Sequence, residues 1–324
     1  MSQIVQRNSV IIAIKAVMTG VGQVMFQRNA ISGILFLSGI FCGAYGGGFP
    51  QVGWGALVGG AVATLAGLVM GYDRNEGRAG LWGFNGVLVG CAMPTFLADT
   101  WQMWLLLIFF AGLSPLVKSG MDYVLAQWKI NSLTFPFVSL TWIALFASRD
   151  MAAVASVPVC GEIVAGGDID MSITSLLVYW LNGISQVFLV NSWIAGILFI
   201  AALAVGSLKA AFWAMAGSAE ALGVSILFGA DSQGIADGLY GFSPVLTAIA
   251  VGCIGSRTGI RSVIMGLTAV VATVFVQAGM NVLLTPWGIP TLTAPFCITA
   301  WLFFIASLSR EIGLWGSRLY FMLL

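Results

Sequence analysis

Charged residues stand so far apart in this chain that long segments lack them altogether. Neither 29–72 nor 262–309 contains a single Asp, Glu, Lys or Arg. Within such gaps lie uncharged apolar runs near the ~18–20 residues that a bilayer-spanning helix needs. Charged residues make up 8% of the 324 and hydrophobic ones 59%, whereas a soluble domain carries about a quarter charged. So few charges cannot cover a water-facing surface. The sequence reads as an all-α integral membrane protein whose partner is the lipid bilayer.

Length bounds the topology. Ten spans of roughly 20 residues use about 200, leaving turns and short partial helices but no room for a soluble domain. The net charge of +1 and the lack of a basic cluster argue against a nucleic-acid partner. The chain has no histidine, which removes His-based acid/base catalysis and every His-ligated metal site. No Ser/His, paired-Asp or zinc-ligand constellation is present, so neither an enzyme nor a metal or cofactor site is expected. Cys42, Cys91, Cys160, Cys253 and Cys297 form no CxxC pair and read as small core residues.

Apolar stretches place spans at about 31–49, 54–71, 81–98, 101–120 and 134–148, and again at about 192–208, 210–229, 239–255, 262–280 and 292–309. Two further segments, at about 10–28 and 173–190, are weaker, with Lys15, Gln23, Gln27 and Arg28 in one and Asn182, Ser185 and Gln186 in the other. Each is followed at once by a full span. A half-membrane helix that enters and leaves on one side resolves this, provided protein or a cavity surrounds its end.

The chain is internally duplicated. Gly20-Val-Gly-Gln23-Val24 recurs as Gly183-Ile-Ser-Gln186-Val187, and Gly33-Ile-Leu-Phe36 as Gly196-Ile-Leu-Phe199. Gly80-Leu-Trp-Gly-Phe84-Asn-Gly-Val-Leu88 recurs as Gly238-Leu-Tyr-Gly-Phe242-Ser-Pro-Val-Leu246, and Leu133-Thr134-Phe-Pro136-Phe137 as Leu292-Thr293-Ala-Pro295-Phe296. The expected organisation is a first repeat over 1–150, a connecting loop over 151–172 outside the cytoplasm, and a second repeat over 173–324. Each repeat holds one half-membrane helix and five transmembrane helices. An odd span count turns the second repeat upside down, giving two inverted repeats. Following the spans, eleven basic residues from Arg7 to Arg318 fall on one face. The other face receives Arg149 beside acidic residues that include Glu162. The positive-inside rule makes the first face cytoplasmic, with both termini inside.

Inverted repeats with half-helices put a site where the repeats meet, so residues present twice deserve most weight. Gln23 and Gln186 fall near the half-helix ends, where unpaired carbonyls accept hydrogen bonds; tying down a helix end is the simpler role. Phe84 and Leu88 share one helix face, as do Phe242 and Leu246; they line a pore or simply face core or lipid. Phe26 belongs to the same set, although its repeat partner is Leu189. Thr134 and Thr293 precede Pro136 and Pro295, where their hydroxyls cap a helix or face a pathway. Flat aromatic walls, oxygen acceptors and hydroxyls without charge match a small, neutral, planar solute with several N–H donors, and urea fits. A cation needs carboxylates or many more carbonyls, and an anion needs Arg or Lys.

The blocks Leu81-Trp-Gly-Phe-Asn-Gly-Val-Leu-Val-Gly90, Leu239-Tyr-Gly-Phe-Ser-Pro-Val-Leu246 and Leu292-Thr-Ala-Pro-Phe296 resemble those of the bacterial branch of the urea transporter family, and the resemblance runs through both halves. It implies ten spans plus two tilted half-helices, a homotrimer with one pore per subunit in the cell inner membrane, and facilitative, channel-like passage of urea and close analogues. It also implies that Gln23 and Gln186, with nearby carbonyls, form acceptor ladders. Phe26, Phe84 and Phe242 then line the slots, while Val24, Val187, Leu88 and Leu246 form the narrow middle beside Thr134 and Thr293. Leu189 departs from the aromatic many members carry there. Glu220, inside an apolar span, has Val62 as its repeat counterpart and stands outside this set. With Lys15 it keeps open a second expectation, an ion-coupled transporter of an amide-like neutral solute.

Overall fold

The computed structural model describes residues 2–157, 165–254 and 259–320, with side chains from residue 10 to residue 307. Cys160, Glu162 and Arg257 lie outside the described residues, as do the side chains of Arg7, Arg310 and Arg318. Helices follow one another along the chain: α1 (Ser2–Gln23), α2 (Ala30–Gly46), α3 (Pro50–Val69), α4 (Arg74–Arg78), α5 (Phe84–Phe96), α6 (Trp101–Leu125) and α7 (Phe135–Ala147). After the loop come α8 (Ile173–Ser185), α9 (Trp193–Gly206), α10 (Leu208–Leu227), α11 (Ser232–Ala236), α12 (Phe242–Thr247), α13 (Ile260–Leu284) and α14 (Ala294–Tyr320). Among the described residues there is no strand, only a single antiparallel bridge between Leu97 and Ser156.

Local chemistry sets several starts. Asn29, Thr100, Ser192 and Ser207 each accept a backbone N–H of the helix they precede, satisfying a donor that the first turn leaves unpaired. The segment expected at 10–28 is helical from Ser2 to Gln23 and then turns through Phe26 (φ 63°). Its counterpart is bent by 70° against the following helix, Ile173–Phe188 against Trp193–Gly206.

Among the described residues, four helical stretches are long and apolar enough to cross a membrane: Pro50–Val69, Trp101–Trp128, Leu208–Leu227 and Ile260–Trp287. The bent stretch adds a fifth if counted as one span. Their outward faces carry Leu65, Phe109, Phe212 and Val282, each at least 60% exposed. So large an apolar surface suits lipid rather than water; this is an all-α membrane protein. Several of the remaining apolar helices are shorter than expected, although α14 (Ala294–Tyr320) continues past the span placed at 292–309. The span placed at 81–98 is helical only from Phe84 to Phe96, and the one at 239–255 runs through α12 into π-helical turns over Ala248–Ile254. A turn with a left-handed glycine precedes each, Gly80 (φ +81°) and Gly238 (φ +74°). Such backbone is held at depth where protein encloses it, and α5 is buried without interruption from Phe84 to Pro94.

Glycines let these helices approach. A Cβ on Gly55 or Gly59 of α3 would strike the carbonyl oxygens of Gly90 or Gly86 on α5, a small-residue contact of the kind that drives packing within membranes. Helices α2 and α9 meet through Phe36 and Phe199, whose rings lie 5.4 Å apart edge to face. Phe188 packs on both, at 5.5 and 5.0 Å. Cys91 and Cys297 are buried and Cys253 half-buried, but Cys42 is exposed, because it lies on the outer side of α2 rather than in the core.

Among the described residues, the five non-glycine residues with positive φ are Phe26, Lys129, Leu133, Leu189 and Leu292. Phe26 pairs with Leu189, Leu133 with Leu292, and Lys129 with Gly288 (φ +55°), at the offsets read from the sequence blocks. The same holds for two indole bonds: Trp142 Nε1 donates to the Pro290 carbonyl (2.8 Å), and Trp301 Nε1 donates to the Asn131 carbonyl (2.9 Å).

Candidate functional site

Left-handed backbone costs a non-glycine residue about 1–2 kcal/mol and collects where function requires it. Here it marks the residues singled out by duplication. Phe26 and Leu189 are two of the five, and Leu133 and Leu292 immediately precede Thr134 and Thr293.

At the end of α1 the Phe26 N–H bonds the Gln23 carbonyl (3.0 Å), and after α8 the Leu189 N–H bonds the Gln186 carbonyl (3.0 Å). Both glutamine side chains are half-buried and are used alike. Gln23 Nε2 donates to the Ala79 carbonyl (2.7 Å), and Gln186 Nε2 to the Asp237 carbonyl (2.9 Å). Each acceptor residue precedes a left-handed glycine, Gly80 or Gly238. The glutamines therefore latch the end of α1 or α8 to the turn that launches α5 or α12, and the amide oxygen is the group left over for another donor.

Next along those turns come Phe84 and Phe242, the first residues of α5 and α12. Val24, Phe84, Leu88, Val187 and Leu246 are buried members of one continuous apolar cluster, and Phe26, Leu189 and Phe242 pack against it half-buried. Every apolar residue of the expected set thus belongs to or packs on the main core, which runs through most of the molecule. The three half-buried ones retain an open face.

Thr134 and Thr293 meet directly. Their hydroxyl oxygens lie 2.6 Å apart, both side chains being buried. Thr134 is the N-cap of α7, and Thr293 precedes the first residue of α14, so two helix N-termini converge there. Each carries roughly half a positive charge, which disfavours a cation. Among the described residues no His/Cys/Asp/Glu cluster could hold a metal ion.

Three nearby residues escaped the sequence reading. Cys297 Sγ lies 3.4 Å from the Thr134 hydroxyl. Phe296 meets Phe26 edge to face at 6.1 Å, although it ends the recurring Leu-Thr-x-Pro-Phe block and was visible there. Asn85, between Phe84 and Gly86, accepts the Phe137 N–H through Oδ1 (3.2 Å). Glu220 is not brought to this place by any bond. It sits half-buried on α10, and its Oε2 is enclosed with no hydrogen-bond partner among the described residues.

A family model described as "Urea transporter" matches residues 14–308. The chain is also similar to proteins named "Urea transporter 1" from Capra hircus and Ovis aries. Each is 30% identical over 304 residues, covering 89% of this chain and 76% of the relative. The protein of that name from Mus musculus is 30% identical over 305 residues with the same coverage.

Proposed function

The chain belongs to the urea transporter family, a family of transport proteins rather than enzymes, and on that premise we propose that it passes urea down its concentration gradient through a pore between two inverted repeats. Each repeat contributes a bent half-membrane helix and five spans, over 1–150 and 173–324. The paired left-handed turns and the paired glutamine latches support this reading.

The observation that carries the proposal is the buried Thr134–Thr293 hydroxyl pair, which directly follows Leu133 and Leu292 of the apolar core. Urea is flat and neutral, with four N–H donors and one carbonyl acceptor. Phe26, Phe84 and Phe242 offer ring faces to its planes, and Gln23 and Gln186 offer amide oxygens to its edges. The hydroxyls both donate and accept, so they suit the carbonyl and the amides in turn. Val24, Leu88, Val187 and Leu246 close the walls between. With no charged side chain in the set and two helix N-termini at the threonines, cations are excluded by the positive ends and anions by the absence of Lys or Arg.

The same reading includes a homotrimer with one pore per subunit in the cell inner membrane, both termini cytoplasmic. Purified protein in proteoliposomes is expected to carry urea at a rate indifferent to proton and sodium gradients. Uptake that stops when both gradients are collapsed overturns the channel reading. It favours instead ion-coupled transport, for which the enclosed and unpartnered Glu220 carboxylate oxygen is the candidate group.

A further inference from the structure

We propose that Asn85 caps helix α7 from a neighbouring helix, and that this frees the Thr134 hydroxyl for the site. It is a positioning residue and rests on the pathway passing Thr134. A threonine at an N-cap ordinarily turns its oxygen inward, to accept the N–H of the second or third helical residue. Thr134 does not; its backbone (φ −95°, ψ 10°) is not in the extended region a capping residue adopts, and its side chain makes no capping bond. The second residue of α7 is Pro136, which has no N–H to give. The third is Phe137, and its N–H goes to Asn85 Oδ1 at 3.2 Å. The orphan donor of the first turn is therefore satisfied from α5, by the residue after Phe84. Released from that duty, the Thr134 hydroxyl lies 2.6 Å from that of Thr293.

The bond also fixes the amide. Because Phe137 N–H is a donor, the oxygen of Asn85 must face it, which leaves Nδ2 buried without a partner. A buried donor left unpaired opposes folding, so the arrangement is not explained by stability alone. The counterpart of Asn85 in the second half is Ser243, and it behaves differently: its hydroxyl donates to the Leu292 carbonyl (3.4 Å), the residue before Thr293. Both residues thus address the start of a threonine helix, but only Asn85 replaces the cap.

The test pairs structure determination with urea flux for Asn85→Ala. Thr134 is expected to turn to an extended ψ, bringing Oγ1 within hydrogen-bond distance of the Phe137 nitrogen and more than 3.5 Å from Thr293 Oγ1. Flux is expected to fall about tenfold in the native background but less than twofold in a Thr134→Val background, since coupled residues are non-additive. Asn85→Asp, which keeps the acceptor oxygen, restores the threonine contact and most of the flux. Should Asn85→Ala not fold, Asn85→Leu carries the same expectations. A Thr134 hydroxyl that stays on Thr293 overturns the cap, as does an equal loss of flux in both backgrounds. A hydroxyl that swings while flux is unchanged upholds the cap and overturns instead the passage of urea past Thr134.

Discussion

Thr134 and Thr293 are separated by 159 positions in the chain, yet their hydroxyl oxygens are 2.6 Å apart and enclosed by protein. A hydroxyl has one proton to give, so in this pair one threonine donates and the other accepts. On the proposed pathway, a solute entering between them would replace that bond with two of its own. Net hydrogen bonds are worth about 0.5–1.5 kcal/mol each.

Thr134→Val and Thr293→Val are therefore each expected to slow urea flux about tenfold, the counterpart of ~1.4 kcal/mol. The double variant is expected to lose little more than either alone, because the two groups act as one. Stopped-flow shrinkage of proteoliposomes reads this directly. Additive losses show that the hydroxyls work independently.

Phe84→Ala is expected to slow urea two- to tenfold, since an aromatic contact contributes about 0.5–1.5 kcal/mol beyond its buried area. Discrimination against thiourea should fall at the same time, as the slot widens. Phe84→Leu keeps the apolar volume and is expected to lose selectivity more than rate. Unchanged urea and thiourea rates in Phe84→Ala remove this residue from the pathway.

Gly80→Ala strains a left-handed residue and drives its Cβ to 2.5 Å from the Gly20 nitrogen, which belongs to helix backbone and cannot move aside. A loss of about 2–3 kcal/mol is expected, seen as a lower melting temperature in detergent. Gly71→Ala has a similar φ (+75°) but open space around it, so about 1 kcal/mol is expected there. Equal losses at both positions deny the helix contact any part in stability.

Asp170 precedes α8 in the loop. Hydrogen bonds from the Ser175 hydroxyl, then from the Ser172 N–H and hydroxyl, hold its carboxyl below the usual carboxylate range. A group depressed by folding contributes stability above its unfolded pKa and loses it as pH falls through the lower folded value. Amide exchange in the first turn of α8 should thus quicken in acid below the ordinary Asp range. Asp170→Asn is expected to make that exchange nearly pH-independent once intrinsic rates are removed; an unchanged acid response shifts the effect elsewhere.

Much of this was legible because duplication repeats chemistry as well as letters. Gln23 with Gln186, and Thr134 with Thr293, stood out by recurrence, and the structure puts each pair to matching use. The acceptors at Ala79 and Asp237 were hidden because a backbone carbonyl leaves no mark in a sequence. Asn85 was hidden for another reason: its counterpart is Ser243, so the search for repetition passed over it. Helix lengths were misjudged where hydropathy continues through a turn, as at 81–83, since burial and not helix length sets how long the apolar run is.

The indole bonds of Trp142 and Trp301 have a mechanical consequence. Each ties its own helix to the segment leading into the other, Trp142 of α7 to Pro290 and Trp301 of α14 to Asn131. A clasp fastened in both directions resists sliding either way, so rocking α7 past α14 must open both fasteners together. Two bonds placed in this manner favour a frame over a hinge at the α7–α14 contact. On the proposed channel reading, the temperature dependence of urea flux is then expected to be that of a solute shedding water, with no added term for moving the walls.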